Sequence, residues 1–261
     1  MNHFSNKKQH NTKLELPTVS IITVVYNGEE TLLRTIQSIS NQTYQNIEYI
    51  IVDGASSDGT LNIIEENNQH IDKVISEPDE GLYDAMNKGL SCATGEYVWF
   101  INSGDEIAHP EVLSNIFKNL PCAEVYYGNT MIVDKNGKEI GWRRLSPPEE
   151  LTWKDFKKGM GVSHQSIIIK KSISRPYQLK YKFSADYDWV LYALRKAKTI
   201  VNTHQTLSRF LDGGLTKKNI LPGLRERFNI MINYFGLPST IIQHLPISFK
   251  FIVFIVKYRR F

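Results

Sequence analysis

Residues 19–25 read VSIITVV, an almost unbroken run of β-branched side chains. Such a run favours a strand buried on both faces, which is typical of a parallel sheet covered by helices on both sides. A second run, IEYIIVD, occupies residues 47–53, and between the two the apolar residues from Leu32 to Ile39 recur at helical spacing. We therefore predict a β-α-β unit over residues 19–53.

The same alternation continues through the first hundred residues. Further elements are predicted as a helix over 59–67, a strand at 74–75, a helix over 83–90 and a strand over 96–101. This alternation predicts a parallel sheet with ligands at the carboxyl ends of its strands. Beyond Pro121 the pattern is less regular, and we predict strands near 124–127, 131–133 and 165–170 and a helix over 186–196.

Composition narrows the class of protein. The chain has 261 residues, of which 41% are hydrophobic and 22% charged, as in a globular protein with one α/β domain and a tail. Lysine and arginine exceed aspartate and glutamate by only 31 to 27, so we expect no nucleic-acid partner. Cys92 and Cys122 form no CxxC pair, and the polar residues 1–16 lack the apolar run of a signal peptide, so we expect a cytoplasmic protein.

Three aspartates, Asp53, Asp58 and Asp105, follow predicted strands in turns. Because the carboxyl ends of parallel strands meet at one edge of the sheet, such turns can bring carboxylates into one cleft. Aspartate is also a common turn former, and for Asp58 a capped loop is an equally good interpretation. The combination of turns is therefore more informative than any one of them.

Five stretches carry a family pattern, and they stand in the order PTVSIITVVYNGEETL from Pro17, IIVDGASSDGT from Ile50, EPDEGLYDAMNKGL from Glu77, ATGEYVWFINSGDE from Ala93 and SADYDWVLYAL from Ser184. Together they resemble the family 2 glycosyltransferases. The resemblance implies an α/β fold of the GT-A type, a Rossmann-like fold with a mixed, mainly parallel central sheet. It also implies a metal-dependent, inverting transfer of a sugar from a UDP- or GDP-sugar to an acceptor hydroxyl, and GLYDAMNKGL with FINSGDE resembles enzymes of bacterial exopolysaccharide, capsule or O-antigen assembly.

The resemblance also implies roles for single residues. Tyr26 would stack on the donor base and Asp53 would accept a hydrogen bond from it, although Tyr26 could instead be a packing residue. Asp84 would contact the donor and His164 the acceptor side, although a single histidine is more often structural. Where the family often has arginine this chain has Met86, so a phosphate contact would be missing or supplied by Lys88 or Arg143. The loop 212–214 resembles a family loop near the donor.

The metal motif departs from the family's Asp-x-Asp, because Asn102 stands at the first aspartate and Gly104 at the second. Asp105 is then the expected ligand of Mg²⁺ or Mn²⁺, with Asn102 as a further donor contact. Hard divalent cations prefer oxygen ligands and accept few protein ligands when phosphates and water complete the shell. The departure leaves open an alternative, a non-catalytic nucleotide-sugar-binding module with a degenerate metal site.

Asp186 takes the family's place for the catalytic base, and Asp188 is the competing candidate. At the start of a helix either carboxylate could instead cap the helix. Two other enzyme classes are disfavoured, because residues 26–30 carry neither the glycine fingerprint of a dinucleotide-dependent oxidoreductase nor the phosphate loop of a nucleotidylyltransferase.

These patterns predict three regions. They are a flexible N-terminus over 1–16, a catalytic domain over 17–215, with a donor half over about 17–106 and an acceptor half over about 107–215, and a helical tail over 216–261. Residues 241–256 read IIQHLPISFKFIVFIV, which is too short and too interrupted to span a bilayer. We expect this segment to lie in the interface of the inner face of the plasma membrane, where a lipid-linked saccharide acceptor would be met. The alternative is a helix that packs on the catalytic domain or on a second subunit.

Deletion of residues 248–261 tests the membrane hypothesis. The deletion removes Lys250, Lys257, Arg259 and Arg260, and each cation near an anionic surface contributes about 1 kcal/mol of binding. We expect a folded protein that no longer sediments with anionic vesicles but still uses a soluble acceptor analogue. Unchanged vesicle binding, or loss of the fold by circular dichroism, would favour the packing alternative.

Overall fold

The structure is a computed structural model, and it describes residues 16–213 and 220–244. Its strands are β1 (Val19–Val25), β2 (Ile47–Asp53), β3 (Lys73–Ser76), β4 (Tyr97–Phe100), β5 (Glu106–Ile107), β6 (Val125–Val133), β7 (Glu139–Trp142), β8 (Ile167–Lys170) and β9 (Ile200–Leu211). Its helices are α1 (Leu32–Ser40), α2 (Thr60–Glu66), α3 (Leu82–Cys92), α4 (Val112–Asn119), α5 (Ala185–Lys196) and α6 (Ile220–Phe235), and residues 237–244 are also helical.

The strands form one mixed sheet in the order β3-β2-β1-β4-β8-β6-β9-β5, with β7 paired to β6. Strand β1 is buried at every position and pairs in parallel with β2 on one side and β4 on the other, as its sequence predicted. Strand β3 extends the parallel half. Beyond β4 the direction changes, because β8 is antiparallel to both β4 and β6, while β9 runs parallel to β6.

Helices cover both faces of the sheet. Side chains that alternate along a strand point to opposite faces, so Ile22 and Phe100 enter one hydrophobic core while Ile21 and Trp99 enter the other. The first core is closed by residues of α3, α5 and α6, and the second by residues of α1, α2 and α4. This arrangement confirms the predicted α/β class.

The second half of the sheet differs from the prediction. The predicted strands near 124–127 and 131–133 are parts of the single strand β6, which begins at Val125 and continues through Gly128. A Cβ atom on Gly128 would lie 2.4 Å from the Gln205 carbonyl oxygen, so glycine is what allows β9 to approach here. Strand β9 itself was not predicted, because its mostly polar sequence is stabilised by pairing with β6 and β5 and not by an apolar run.

Helix α6 contacts the rest of the domain closely. Its Ile230 and Met231 are buried in the same core as α5, and its Glu226 accepts hydrogen bonds from the Lys182 and Phe183 N–H groups at 2.8 and 2.9 Å. The expected membrane-contacting residues 249–260 and the N-terminal residues 1–15 lie outside the described residues. Within residues 16–213 and 220–244, no helix has the length and apolar character needed to cross a bilayer.

A buried aromatic cluster surrounds His164. The His164 ring lies 5.2 Å from the ring of Phe100 and 5.5 Å from that of Trp189, and its Nε2 is 2.7 Å from the Tyr177 hydroxyl. Burial lowers the pKa of His164 from 6.5 to about 4, although the nearby Asp186 carboxylate opposes the shift. The imidazole is therefore neutral at physiological pH.

The depressed pKa predicts a loss of stability in acid. Between pH 6.5 and 4 the unfolded histidine is protonated while the folded one is not, so the free energy of unfolding falls as pH drops, by about 2 kcal/mol between pH 7 and 5. His164→Gln can keep a hydrogen bond to Tyr177 but has no titrating ring, so urea unfolding should show a smaller loss over this interval. His109→Gln, at an exposed histidine, should lose as much stability as the wild type. Equal pH dependence in the two variants would contradict the prediction.

Candidate active site

Polar residues follow three parallel strands at one edge of the sheet. Asn27 follows β1, Asp53 ends β2 and Asn102 follows β4, and the pairing register holds these ends side by side. Asn27 adopts a left-handed conformation, and its side-chain oxygen accepts a hydrogen bond from the Ser57 N–H at 2.9 Å. The loops after β1 and β2 are thereby joined, as expected at the ligand-binding edge of an α/β sheet.

The turn after β4 explains why Gly104 replaces an acid. Gly104 has a φ of +94°, a conformation that L side chains avoid, and an added Cβ would lie 2.6 Å from a Leu211 methyl group. The turn is held by Thr35, whose hydroxyl accepts from the Gly104 N–H and donates to the Asp105 carbonyl. The same turn therefore fixes the backbone of the next residue, Asp105.

Asp105 is 4% exposed and lies against the end of β9. Its Oδ1 accepts a hydrogen bond from the Leu211 N–H at 2.9 Å. Burial nevertheless raises the pKa of its carboxyl to about 7, since this bond and that of Gln165 offset the loss of solvation only in part. A cation beside Asp105 would favour the carboxylate form.

A cleft of about 520 Å³ opens in front of this turn. Its charged and strongly polar lining comes from the β4 turn and from the regions of β7, β8, β9, α5 and α6. These residues are Asn102, Asp105, Arg143, His164, Gln165, Lys182, Asp186, Asp212 and Arg227. Asp105, Asp186, His164 and Asn102 were predicted from sequence as site residues, and the fold brings them to one cavity. A cavity of this size suits a ligand of the mass of a nucleotide or a disaccharide.

Helix α5 places the two candidate bases differently. Asp186 lines the cleft, and its Oδ1 accepts hydrogen bonds from the Tyr83 hydroxyl at 3.1 Å and from the Tyr187 N–H at 2.8 Å. Asp188 is buried outside the cleft, with its Oδ2 2.6 Å from an Arg175 nitrogen. Residues two apart on a helix point in nearly opposite directions, so only Asp186 can meet a ligand in the cleft.

Two arginines converge beside Asp186. Arg143 donates to the Met160 carbonyl at 2.7 Å, and its pKa is lowered to about 10, first by burial and then by the charge of Arg227. Such a pair of neighbouring cations favours an anionic ligand. Lys88, the other sequence candidate for a phosphate contact, instead pairs with Glu77 at 3.0 Å and does not line the cleft.

The remaining predicted donor residues lie outside the cleft. Tyr26 is 67% exposed, and one edge of its ring lies near Gly54. Asp53 is fully buried, and its carboxylate accepts hydrogen bonds from the Ser76 hydroxyl at 2.7 Å and from the Ser56 N–H at 3.2 Å. Asp84 accepts from the Glu80 N–H and lies 3.5 Å from Lys88.

Asp58 has a capping role in the structure. Its Oδ1 accepts from the Thr60 N–H at 3.0 Å, at the start of α2, and the Thr60 hydroxyl also lowers the pKa of its carboxyl. Its Oδ2 accepts from the Glu29 N–H at 3.1 Å. The capped-loop interpretation accounts for these contacts.

Tyr83, Lys182 and Arg227 are among the cleft residues that the sequence did not single out. Tyr83 belongs to the GLYDAMNKGL stretch but carries no charge to attract notice, while Lys182 and Arg227 belong to no recognised motif. Arg227 lies on α6, so only the docking of that helix on the domain brings it to the cleft.

Comparison with known proteins supports the same family as the motifs. The model of the family described as Glycosyl transferase family 2 matches residues 20–175. An uncharacterized glycosyltransferase of Mycobacterium tuberculosis is 32% identical over 187 residues, which cover 68% of this chain and 69% of that protein. A PGL/p-HBAD biosynthesis glycosyltransferase of Mycobacterium bovis is 28% identical over 182 residues, covering 66% of this chain and 68% of that protein.

Solved structures share the fold. Staphylococcus aureus TarS 1–349 in complex with UDP superimposes with a TM-score of 0.62 at 20% identity, covering 83% of this chain, which spans 66% of the length of that fragment. The complex of the same fragment with UDP-GlcNAc gives a TM-score of 0.60 at 19% identity and covers 83% of this chain and 67% of that one. The likeness confirms the predicted GT-A type of α/β fold, and with the family match it shows that the chain belongs to glycosyl transferase family 2.

Proposed function

We propose that this protein transfers a sugar from a nucleotide-diphosphate-sugar, a UDP- or GDP-sugar, to an acceptor hydroxyl with inversion at the anomeric carbon. The proposal rests above all on the presence of Asp105 and Asp186 in one cleft of about 520 Å³ at the carboxyl ends of the strands. The UDP and UDP-GlcNAc complexes of TarS support a nucleotide-sugar donor. We further propose a role in cell-surface polysaccharide biosynthesis, which the resemblance of GLYDAMNKGL and FINSGDE to enzymes of exopolysaccharide, capsule or O-antigen assembly supports; the Mycobacterium bovis relative is likewise named for a biosynthetic role, in PGL/p-HBAD biosynthesis.

The donor base would lie at the ends of β1 and β2. The exposed face of Tyr26 is available for stacking. Asp53, already engaged by Ser56 and Ser76, holds the loop beneath Tyr26 in place and would contact the base only by exchanging one of these partners. Asp84 would act at the rim through the loop before α3.

Residues of the β4 turn fit a divalent cation. The Asn102 side-chain oxygen is buried and has no hydrogen-bond partner among the described residues, and the Asp105 carboxyl lies in the same cleft. Among residues 16–213 and 220–244, no group of three or more His, Cys, Asp or Glu side chains could hold a metal ion. Donor phosphates and water would therefore complete the coordination shell of the cation. Bound Mg²⁺ or Mn²⁺ would neutralise negative charge on the leaving diphosphate.

Asp186 would act as the general base. Tyr83 and Tyr187 both donate to its Oδ1, which leaves Oδ2 for the proton of the acceptor hydroxyl. As that proton moves to Asp186, the acceptor oxygen forms a bond to the anomeric carbon, and the bond from this carbon to the diphosphate oxygen breaks. Arg143 and Arg227 would orient anionic groups beside the reacting atoms, whereas neutral His164 can offer a hydrogen bond but no charge.

The acceptor we propose is a lipid-linked saccharide at the cytoplasmic face of the membrane. Support comes from the apolar and basic sequence of residues 241–261, since such segments bind anionic membrane surfaces. The protein would then be peripheral on the inner face of the plasma membrane.

Replacement of Asp105 tests the metal site. Asp105→Asn keeps the shape and an oxygen for the Leu211 N–H, so the fold should remain, but the loss of the carboxylate should lower Mn²⁺-dependent transfer by about a hundredfold or more. Mn²⁺ binding in the presence of UDP, followed by electron paramagnetic resonance, should weaken in parallel. Glu65→Gln, at an exposed carboxylate of α2, is the matched control and should behave as wild type. Near-normal metal-dependent activity in Asp105→Asn would refute the assignment, and absence of donor hydrolysis or transfer in the wild type would favour the non-catalytic alternative.

Replacement of Asp186 and Asp188 separates base from ion pair. Asp186→Asn should still bind donor but lose turnover by about a hundredfold or more, because no group of suitable basicity replaces it. Asp188→Asn weakens the contact with Arg175, so it should lower the melting temperature while leaving turnover within a few fold. Turnover measured at saturating donor, beside thermal melting, distinguishes the two; the opposite ranking in turnover would move the role to Asp188.

A further inference from the structure

A second cavity lies on the other side of α5. It has a volume of about 560 Å³, slightly more than the catalytic cleft, and it lies among the segment before α5, α5 itself and the end of α6. Asp188 lines this cavity while Asp186 lines the cleft, and these side chains point in nearly opposite directions from α5. The second cavity therefore has no part in the proposed transfer.

The cavity carries an excess of positive charge. Its lining includes Arg175, Lys180, Arg195 and Lys196, against the single carboxylate of Asp188, which is already paired with Arg175. No ion pair to Lys180, Arg195 or Lys196 occurs within the described part of the chain. The Nε of Arg175 is buried and has no hydrogen-bond partner among the residues that the structure describes.

Aromatic rings hold these cations in place. Arg175 lies 4.1 Å above the centre of the Tyr192 ring, and Lys196 lies 5.8 Å from the same centre. Arg195 lies 5.5 Å from the ring of Trp153. Such contacts stabilise a cation without neutralising it, so its charge remains available to a ligand.

We propose that this cavity binds a phosphate-bearing ligand, a phosphate ester or a diphosphate, at a site separate from the catalytic cleft. Lys180, Arg195 and Lys196, which have no ion pair among the described residues, suit an anion of two or three charges better than an anion with one carboxylate. Guanidinium groups also match the geometry of phosphate oxygens. The phosphate can belong to a soluble molecule or to a lipid headgroup, since both present the same chemistry. The inference is independent of the transfer reaction proposed above.

Pyrophosphate binding to the full-length protein tests the site. Isothermal titration with EDTA present, which removes divalent cations, compares the wild type with Arg195→Gln/Lys196→Gln, whose two side chains are exposed and whose loss should not unfold the domain. We expect the double variant to bind pyrophosphate at least tenfold more weakly, and wild-type affinity to fall as salt rises from about 50 to 200 mM. Circular dichroism and the melting temperature check the fold of each variant.

Two further variants locate the effect. Lys118→Gln/Lys198→Gln removes the same charge at exposed lysines outside both cavities and should bind pyrophosphate within twofold of wild type, whereas Arg227→Gln removes a cation of the catalytic cleft and reports any pyrophosphate bound there. Wild-type affinity in the cavity variant, or a loss confined to Arg227→Gln, would overturn the proposal. Because Arg195 and Lys196 are not assigned to the transfer, failure of the catalytic proposal leaves this test unaffected.

Vesicles identify the source of the phosphate. Sedimentation with phosphatidylglycerol vesicles that is weaker for the cavity variant than for its lysine control indicates a lipid headgroup. Weaker pyrophosphate binding with unchanged sedimentation indicates a soluble phosphate. If the cavity variant matches its control in both measurements, the cavity does not bind phosphate and the proposal is wrong.

Discussion

The burial of β1 between two parallel partners is the constraint on which the rest of the molecule depends. Each of its seven residues is buried, and its pairing with β2 and β4 fixes the heights at which these three strands end. Their carboxyl ends therefore meet at one edge, where Asn27, Asp53 and Asn102 lie. A shift of β1 by one residue in this register would exchange the faces to which its core side chains point, so the hydrophobic effect that stabilises the fold also positions the site.

In the cleft, the charged form of a buried carboxyl is stabilised only in part. Asp105 is removed from water and its pKa rises to about 7, yet the Leu211 N–H retains part of the stabilisation of the charged form. Arg143 and Arg227 also line the cleft and raise the positive potential beside Asp186. An anionic substrate would supply negative charge to balance the two arginines. A cation bound together with it would favour the ionised form of Asp105.

Helix α5 lies between the two cavities and contributes an acidic residue to each. Its successive acidic residues serve different purposes, with Asp186 in the cleft and Asp188 in an ion pair with Arg175. Helix α6 closes the same core, and it supplies Arg227 to the cleft and Tyr234 to the second cavity. Both cavities therefore depend on the packing of two helices that adjoin in space but are separated by β9 in sequence.

The sequence alone determined the elements whose signal is local. Strands β1 and β2 follow from apolar runs, the helices of the first half from their periodicity, and the family from five ordered motifs. Asp105 and Asp186 could be selected because they stand in those motifs, whereas His164 lies outside the five and was selected from the resemblance as an acceptor-side contact. The comparisons establish the family, while the roles of these residues rest on the proposed mechanism.

Only the tertiary structure decided the features that depend on distant contacts. Strand β9 forms because β6 approaches through Gly128, the position of Asp186 inside the cleft and of Asp188 outside it follows from the orientation of α5, and Arg227 reaches the cleft because α6 docks on the core. Burial likewise sets the pKa values of Asp105 and His164, and burial is a property of neighbours from every part of the chain. A linear pattern encodes periodicity and local conformation, whereas side-chain direction, desolvation and the meeting of charges are fixed when separate elements pack together.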